Sequence, residues 1–252
     1  REKYVKHLYK RLQREGQLER DVDRLVRNDR IAWGASMIAC KDADAMVTGN
    51  IRHYAASIEK LKKVTDPRPG EEIFGMTMIT LKGKTILVAD TNVQEFPSPE
   101  RLVKVSKSCV RVARLFGFDP KVAFLSHSTF GKPISKNTKH VRDAIELLKN
   151  ENVNFDFDGE MQPDVALNPI YQEIYPFSKI VGNANILIMP ALHSAAISTK
   201  LMKVFGGGKL IGPLLIGLGS PIEVAPLRAT TSEILNLASI AAYSSDVIDY
   251  SN

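Results

Sequence analysis

Four short stretches gather the residue types that do chemistry. Residues 126–133, SHSTFGKP, place Ser126, Ser128 and Thr129 beside a glycine and Lys132. Hydroxyls, backbone N–H groups and an ammonium in one loop suit a phosphate, although their order is not that of a P-loop. Residues 158–169, DGEMQPDVALNP, bring Asp158, Glu160 and Asp164 together. Paired carboxylates serve acid–base chemistry or a divalent cation, but no His or Cys joins them, and the same acids also favour a helix N-terminus. Residues 189–200, MPALHSAAISTK, set His193, Ser194, Ser198 and Lys200 around a strand-to-helix turn, where a histidine is a base or a satisfied turn residue. Residues 221–235, PIEVAPLRATTSEIL, form a proline-bracketed loop with Thr230 three residues before Glu233. That is capping-box spacing, and Ile234, Leu237, Ala238 and Ala241 then follow at helical spacing, so residue types alone make this junction a helix cap.

The elements that must position these residues read as follows. The first seventy residues are mainly helical, with Val5, Leu8, Tyr9 and Leu12 on one face and Gly16 as a stop. The run AMVTG predicts a buried strand that ends on Gly49, before a helix carrying Ile58 and Leu61. TDPRPG, residues 65–70, is the candidate linker. GMTMITLKGKTILVAD predicts two strands around Lys82–Gly83–Lys84, and Ser98 and Pro99 open a helix striped with Leu102, Val105, Cys109, Val112 and Phe116, closed by Gly117. VAFLSHS, FDFDG, NILIMPA and KLIGPLLI predict strands, with helices near 137–149 and 193–205. Such alternation predicts an α/β sheet with helices on both faces. A second proline-rich link, Pro221 to Pro226, separates the last helix from that sheet. The reading is one lobe of residues 1–70 plus 226–252 and an α/β lobe of 71–225.

The chain has 252 residues and a net charge of +6, but the basic residues of the N-terminal third are interspersed with acids, the pattern of solvated helix faces. No nucleic-acid partner is expected. Cys40 and Cys109 lie far apart in apolar helical patterns and read as buried thiols of a cytoplasmic protein. The apolar stretch Leu210–Leu218 is too short to span a bilayer and is interrupted by Gly and Pro, so no membrane partner is expected. FGGGK lacks Walker spacing, and no G-x-G-x-x-G fingerprint is present, so neither a nucleoside triphosphate loop nor an NADP site is expected in these residues. Because the first residue is Arg1, the chain reads as a segment of a longer polypeptide.

Taken together, DADAMVTG, VAFLSHSTFGKP, FDGEMQPDVALNP, NILIMPALHSAAISTK and GPLLIGLGSPI resemble, in order and spacing, the phosphate acetyltransferase family across nearly the whole chain. The resemblance implies a two-lobed isocitrate dehydrogenase-like fold whose first lobe is incomplete at its N-terminus, a homodimer through the second lobe, and a cleft for coenzyme A and acetyl phosphate. In active members the junction after the last strand reads like NDLSRG, followed by an acidic residue. The serine and arginine stabilise the transition state, and the Asp assists removal of the thiol proton. Here the serine position is Pro226, the arginine position Leu227 and the Asp position Glu233, while a phosphate-binding arginine on the helix after AMVTG corresponds to Glu59. Proline and leucine bring no donor to a developing oxyanion, and a carboxylate repels acetyl phosphate. Arg228, one position along, is the remaining cation at this junction.

The DPRPG link, DGEMQPDVALNP, MPALHSAAISTK and PLRATTSEILNLASIAAY are similar, more narrowly, to the C-terminal domains of hybrid NADP-dependent malic enzymes. That similarity implies a regulatory and oligomerisation domain that senses acetyl-CoA without transferring acetyl groups. NADP, a divalent metal and the decarboxylation of malate to pyruvate would belong to a separate module. The effector pocket it implies is Ser126, Ser128, Thr129, Lys132, Asp158, Glu160, Ser198 and Lys200, with no metal and no catalytic residue. The alternative is an active phosphate acetyl- or butyryltransferase that uses Arg228 and Glu233 in altered geometry.

Overall fold

The computed structural model describes residues 1–90, 93 and 95–248. In chain order its elements are α1 (Glu2–Leu12), α2 (Glu19–Asn28), α3 (Arg30–Ala39), β1 (Met46–Gly49), α4 (Tyr54–Val64), β2 (Phe74–Leu81), β3 (Lys84–Ala89), α5 (Pro99–Leu115), β4 (Lys121–Leu125), α6 (Lys139–Lys149), β5 (Asp156–Met161), α7 (Pro163–Leu167), β6 (Ile186–Ile188), α8 (Leu192–Phe205), β7 (Lys209–Ile216), β8 (Ile222–Ala225) and α9 (Thr231–Val247). The chain forms two compact units, Arg1–Ile73 with Gly212–Asn252, and Phe74–Ile211. The proline-based reading places the boundaries at 70/71 and 225/226 instead; for residues 222–225 the difference is due to β8.

In the first unit, α1 buries Tyr4, Val5, Leu8 and Leu12, the face expected from its spacing. Asp29 caps α3 by accepting from the N–H groups of Ile31 and Ala32, and α3 buries Ile31, Ala32, Ala35 and Ile38. Sequence patterning missed a strand: residues 222–225, read as loop, form β8 and pair in parallel with β1, from Met46↔Ile222 to Gly49↔Ala225. Helix α9 packs on both strands. This pairing assigns residues 222–225 to the first unit. The strands approach so closely at their ends that a Cβ on Gly49, whose φ is +106, would lie 2.3 Å from the Ala225 carbonyl oxygen. The proline-rich link at 65–70 is fastened to this unit, since Gly219 donates to the Asp66 carbonyl at 2.8 Å, Arg68 donates to that of Gly217 at 2.8 Å, and the Arg11 guanidinium bonds the Asp66 carboxylate.

The junction that opens α9 is a complete capping box: the Thr230 hydroxyl accepts from the Glu233 N–H at 3.2 Å, and the Glu233 carboxylate accepts from the Thr230 N–H at 2.8 Å. Of the apolar positions expected to face inward, Leu237 and Ala241 are buried, whereas Ala238 is exposed. Cys40 also departs from expectation, being half-buried at the end of α3 rather than inside it. Cys109 is fully buried, and burial pushes its thiol well above the ordinary range.

The second unit contains strands β2 to β6 of a mixed sheet of order β5-β4-β6-β3-β2-β7, whose edge strand β7 begins in this unit and runs on past Ile211. β2 and β3 form an antiparallel hairpin whose two-residue turn puts Lys82 and Gly83 at φ 51 and 76, the left-handed pair that matches strand twist. β3, β6, β4 and β5 run parallel. Pro213 sits in β7, the edge strand, where a missing N–H removes no central ladder bond. The core between sheet and helices includes Val88, Ala123, Leu125, Leu187 and Ala195, and each large apolar side chain buried in this way contributes about 1.5–3 kcal/mol. As expected, the Ser98 hydroxyl caps α5 and Gly117, at φ 79, follows its end. No helix among the described residues is long and apolar enough to cross a membrane.

Candidate functional site

In the second unit, the parallel strands β4, β5 and β6 deliver their carboxyl ends to one edge of the sheet, where α/β folds bind ligands. The 126–133 loop leaves β4 there. Its conformation is set by one buried carboxylate. The β4–β5 register shifts between Phe124, opposite Gly159, and Leu125, opposite Met161, so Glu160 is the extra residue of a bulge and its side chain is re-aimed. Its Oε1 accepts from the Ser128 hydroxyl at 2.8 Å, the Gly131 N–H at 2.9 Å and the Arg142 guanidinium at 3.3 Å, and its carbonyl accepts from Phe130 N–H at 2.7 Å. Ser126 Oγ lies 3.3 Å from Ser128 Oγ, and Thr129 Oγ1 accepts from the Gln162 N–H at 3.2 Å.

Ser126, Ser128, Thr129 and Glu160, all buried, are thus brought together by hydrogen bonds that lock the loop. The acids expected to line a pocket are engaged by protein donors. Glu160 is 1% exposed, and Asp158 accepts from Lys179 N–H at 2.7 Å and from Gly159 N–H at 2.9 Å. Among the described residues no three His, Cys, Asp or Glu side chains converge as a metal set. The Lys132 side chain is exposed at the loop tip. On α8, Ser198 is half-buried and Lys200 exposed, in the second and third turns of the helix, and no hydrogen bond among the described residues joins either to the Glu160 network. Ser194 donates to the Ala191 carbonyl at 2.7 Å, and His193 packs beside Phe96.

In the first unit, the carboxyl ends of β1 and β8 form a second edge. Asn50 donates to the Ala225 carbonyl at 3.2 Å and Arg228 donates to the Asn50 carbonyl at 3.0 Å, with both residues in left-handed conformations at φ 66 and 58. Pro226 is half-buried, while Leu227 and the Arg228 side chain are exposed. Glu233 belongs to the α9 cap, with its Oε2 also 3.0 Å from the Thr230 hydroxyl. Glu59 is exposed on α4.

The profile of the phosphate acetyl/butaryl transferase family matches residues 1–242. The chain belongs to this family. It is 45% identical over 240 residues to an NADP-dependent malic enzyme of Rhizobium meliloti (strain 1021), a match that takes in 95% of this chain and 32% of that protein. It is 27% identical to a phosphate acetyltransferase of Bacillus subtilis (strain 168), over 91% of this chain and 72% of that one. Among solved structures, a phosphotransacetylase from Streptococcus pyogenes superposes with a TM-score of 0.89 at 27% identity, covering 96% of this chain and 75% of its own. The chain therefore spans about a third of the length of the malic enzyme relative, and about three quarters of the length of the Bacillus subtilis and Streptococcus pyogenes proteins.

One charged group in this phosphate acetyl/butaryl transferase family member escaped the sequence reading. Asp29, 7% exposed, accepts from Arg52 at 3.0 Å and pairs with Lys60 on α4, besides capping α3. Burial alone would raise its pKa, but the Lys60, Arg52 and backbone donors override burial and hold it at about 2. An Asp directly before an apolar helical run is the local signal that could have found the cap, whereas cations 23 and 31 residues away give no local signal. Asp29→Asn should cost the first unit about 2 kcal/mol at neutral pH, the fall from 3.8 to about 2 being discounted for cations that are a third exposed. Because the folded pKa lies below the unfolded 3.8, this stabilisation is present above 3.8 and is lost as pH falls through about 2. Urea titrations at neutral pH and near pH 3 check this; an unchanged gap between the two proteins would contradict it.

Proposed function

We propose that this chain is the phosphotransacetylase-like, regulatory and oligomerising part of an NADP-dependent malic enzyme, and that it binds acetyl-CoA without transferring its acetyl group. The observation that carries the reading is the turn after β8. Acyl transfer to phosphate needs donors aimed at a developing oxyanion. Here Pro226 and Leu227 bring none, and the Glu233 carboxylate is held in a helix cap. Arg52 and Lys60, the cations following β1, are paired with Asp29. The identity to the Rhizobium meliloti malic enzyme supports the parent assignment.

In this reading the ordered 126–133 loop and the exposed ammoniums of Lys132 and Lys200 meet the coenzyme phosphates. Homodimerisation uses α8, on which Ile197, Leu201, Val204 and Phe205 form an exposed apolar stripe at helical spacing. The exposed Arg228, at the carboxyl end of β8, favours the second reading, an active acetyl- or butyryltransferase.

Calorimetric titration with acetyl-CoA and acetyl phosphate, beside an assay of acetyl-phosphate formation, tests the two. Saturable acetyl-CoA binding without turnover is expected. Turnover abolished by Arg228→Ala would replace the regulatory reading with the enzymatic one.

A further inference from the structure

The 126–133 loop carries an aromatic side chain that its turn does not call for. Thr129 N–H donates to the Lys132 carbonyl at 2.8 Å and Lys132 N–H to the Thr129 carbonyl at 3.1 Å, which closes a two-residue turn. The turn residues, Phe130 and Gly131, lie at φ 47 and 85. In that left-handed region glycine and asparagine are ordinary, whereas a phenylalanine is an outlier that the surroundings must hold in place. The Glu160 carbonyl does so, accepting from Phe130 N–H at 2.7 Å. The Phe130 ring rests on the core of the second unit and meets Phe177 at a centroid distance of 4.8 Å and Tyr175 at 5.3 Å. Tyr175 and Phe177 are themselves 6.0 Å apart, and the Phe177 ring stands at 68° and 78° to its two neighbours.

Phe177 is thus fixed in orientation, yet it is 64% exposed, so at least one face of its ring is open to water. Two polar groups near it are uncommitted: among the described residues neither the Tyr175 hydroxyl nor the Lys132 ammonium has a hydrogen-bond or ionic partner. The closed turn fixes the backbone of Lys132 relative to that of Phe130. An open aromatic face with a hydroxyl and an ammonium beside it is the chemistry that takes a nucleobase next to a phosphate. A second copy of the chain docked here about a two-fold axis would bring its own Lys132 to the same place, whereas a nucleotide brings the opposite charge. We infer that Phe177, supported by Phe130 and Tyr175, stacks the purine of acetyl-CoA while Lys132 meets the adjoining phosphates. The inference rests on the acetyl-CoA reading above and adds a selectivity to it, since a thioester without the adenylate half forgoes the stack.

The test is calorimetric titration of the chain with acetyl-CoA and with S-acetylphosphopantetheine, which ends before the adenylate. The parent should bind acetyl-CoA saturably and S-acetylphosphopantetheine at least about tenfold more weakly. Phe177→Ala should lower the acetyl-CoA affinity about tenfold. Phe177→Trp should retain it, with the added indole fluorescence, read against the parent's single Trp33, quenched as the purine stacks. Failure of acetyl-CoA to saturate the parent at millimolar concentration would remove the acetyl-CoA reading and this inference with it. Saturable binding undiminished in Phe177→Ala, or equal affinity of the parent for the two thioesters, would overturn the stacking assignment alone and leave the sensing reading in place. Loss of self-association in Phe177→Ala with acetyl-CoA binding unchanged would assign the ring to a contact between copies instead.

Discussion

Glu160→Ala destabilises the second unit by about 3 kcal/mol and releases the 126–133 loop. The carboxylate is nearly inaccessible, and its Oε1 satisfies Ser128, Gly131 and Arg142 together. Removing one partner from a buried charged network costs about 3–5 kcal/mol, because the remaining groups lose their partner and cannot all regain water. The low end applies, since the Arg142 side chain is a third exposed and water recovers part of its hydration. Urea denaturation gives the energy, and exchange of the Gly131 amide gives the loop. Glu160→Gln should be milder, at about 1–2 kcal/mol, because it keeps an acceptor for Ser128 and Gly131 and loses only the charge facing Arg142. A Glu160→Ala protein within 1 kcal/mol of the parent by the same measurement, with its loop still protected, would show that the carboxylate is not what orders the loop.

Glu223→Gln has the opposite sign. Glu223 lies in β8 at 4% exposure, and its carboxyl accepts from the Leu215 N–H at 2.9 Å. Burial pushes its pKa up to about 8, and that one N–H offsets little of the rise. A folded pKa above the unfolded 4.5 means that the native state holds a proton which the unfolded chain releases between these values. Stability from this group is therefore fully present below 4.5, declines as pH rises, and is lost through about 8. Between pH 4.5 and values above 8 the full decline is about 5 kcal/mol, a little under 1 kcal/mol of it below pH 5. Glutamine is neutral at every pH and keeps an acceptor, so the variant should be more stable than the parent at pH 8 by about 3 kcal/mol, a gain of several degrees in melting temperature. The two curves should converge near pH 5. A parent whose stability is flat between pH 5 and 8 would mean that water reaches the carboxylate.

These two glutamates also mark where sequence reading stops. Local signals located most elements: Ser98–Pro99 and Gly117 bracket α5, and the Thr230–Glu233 spacing is realised bond for bond. What escaped depends on partners distant in the chain. A four-residue strand with a glutamate at its second position has no legible alternation, and β8 is a strand because β1 lies beside it. Glu160 was legible as a chemically interesting acid, but its use depends on a bulge against β4 and on Arg142 from α6, neither of which is written in the surrounding residues. Asp29 was hidden in the same way, its cap being local and its cations remote. The sheet order follows the same rule, since hairpin pairing of β2 with β3 is read from one turn, whereas the placement of β6 between β3 and β4 is not.

The pairing of β1 with β8 has a consequence for synthesis. Residues 46–49 leave the ribosome long before 222–225, and the whole of Phe74–Ile211 is made in the interval. At roughly 5–20 residues per second, β1 waits on the order of ten seconds or more without its partner strand. The uninterrupted second unit can complete its fold as a nascent chain during that delay, while the first exposes an unpaired edge and the apolar faces of its helices. Slow codons or a chaperone acting in this window would govern the yield of the first unit far more than that of the second.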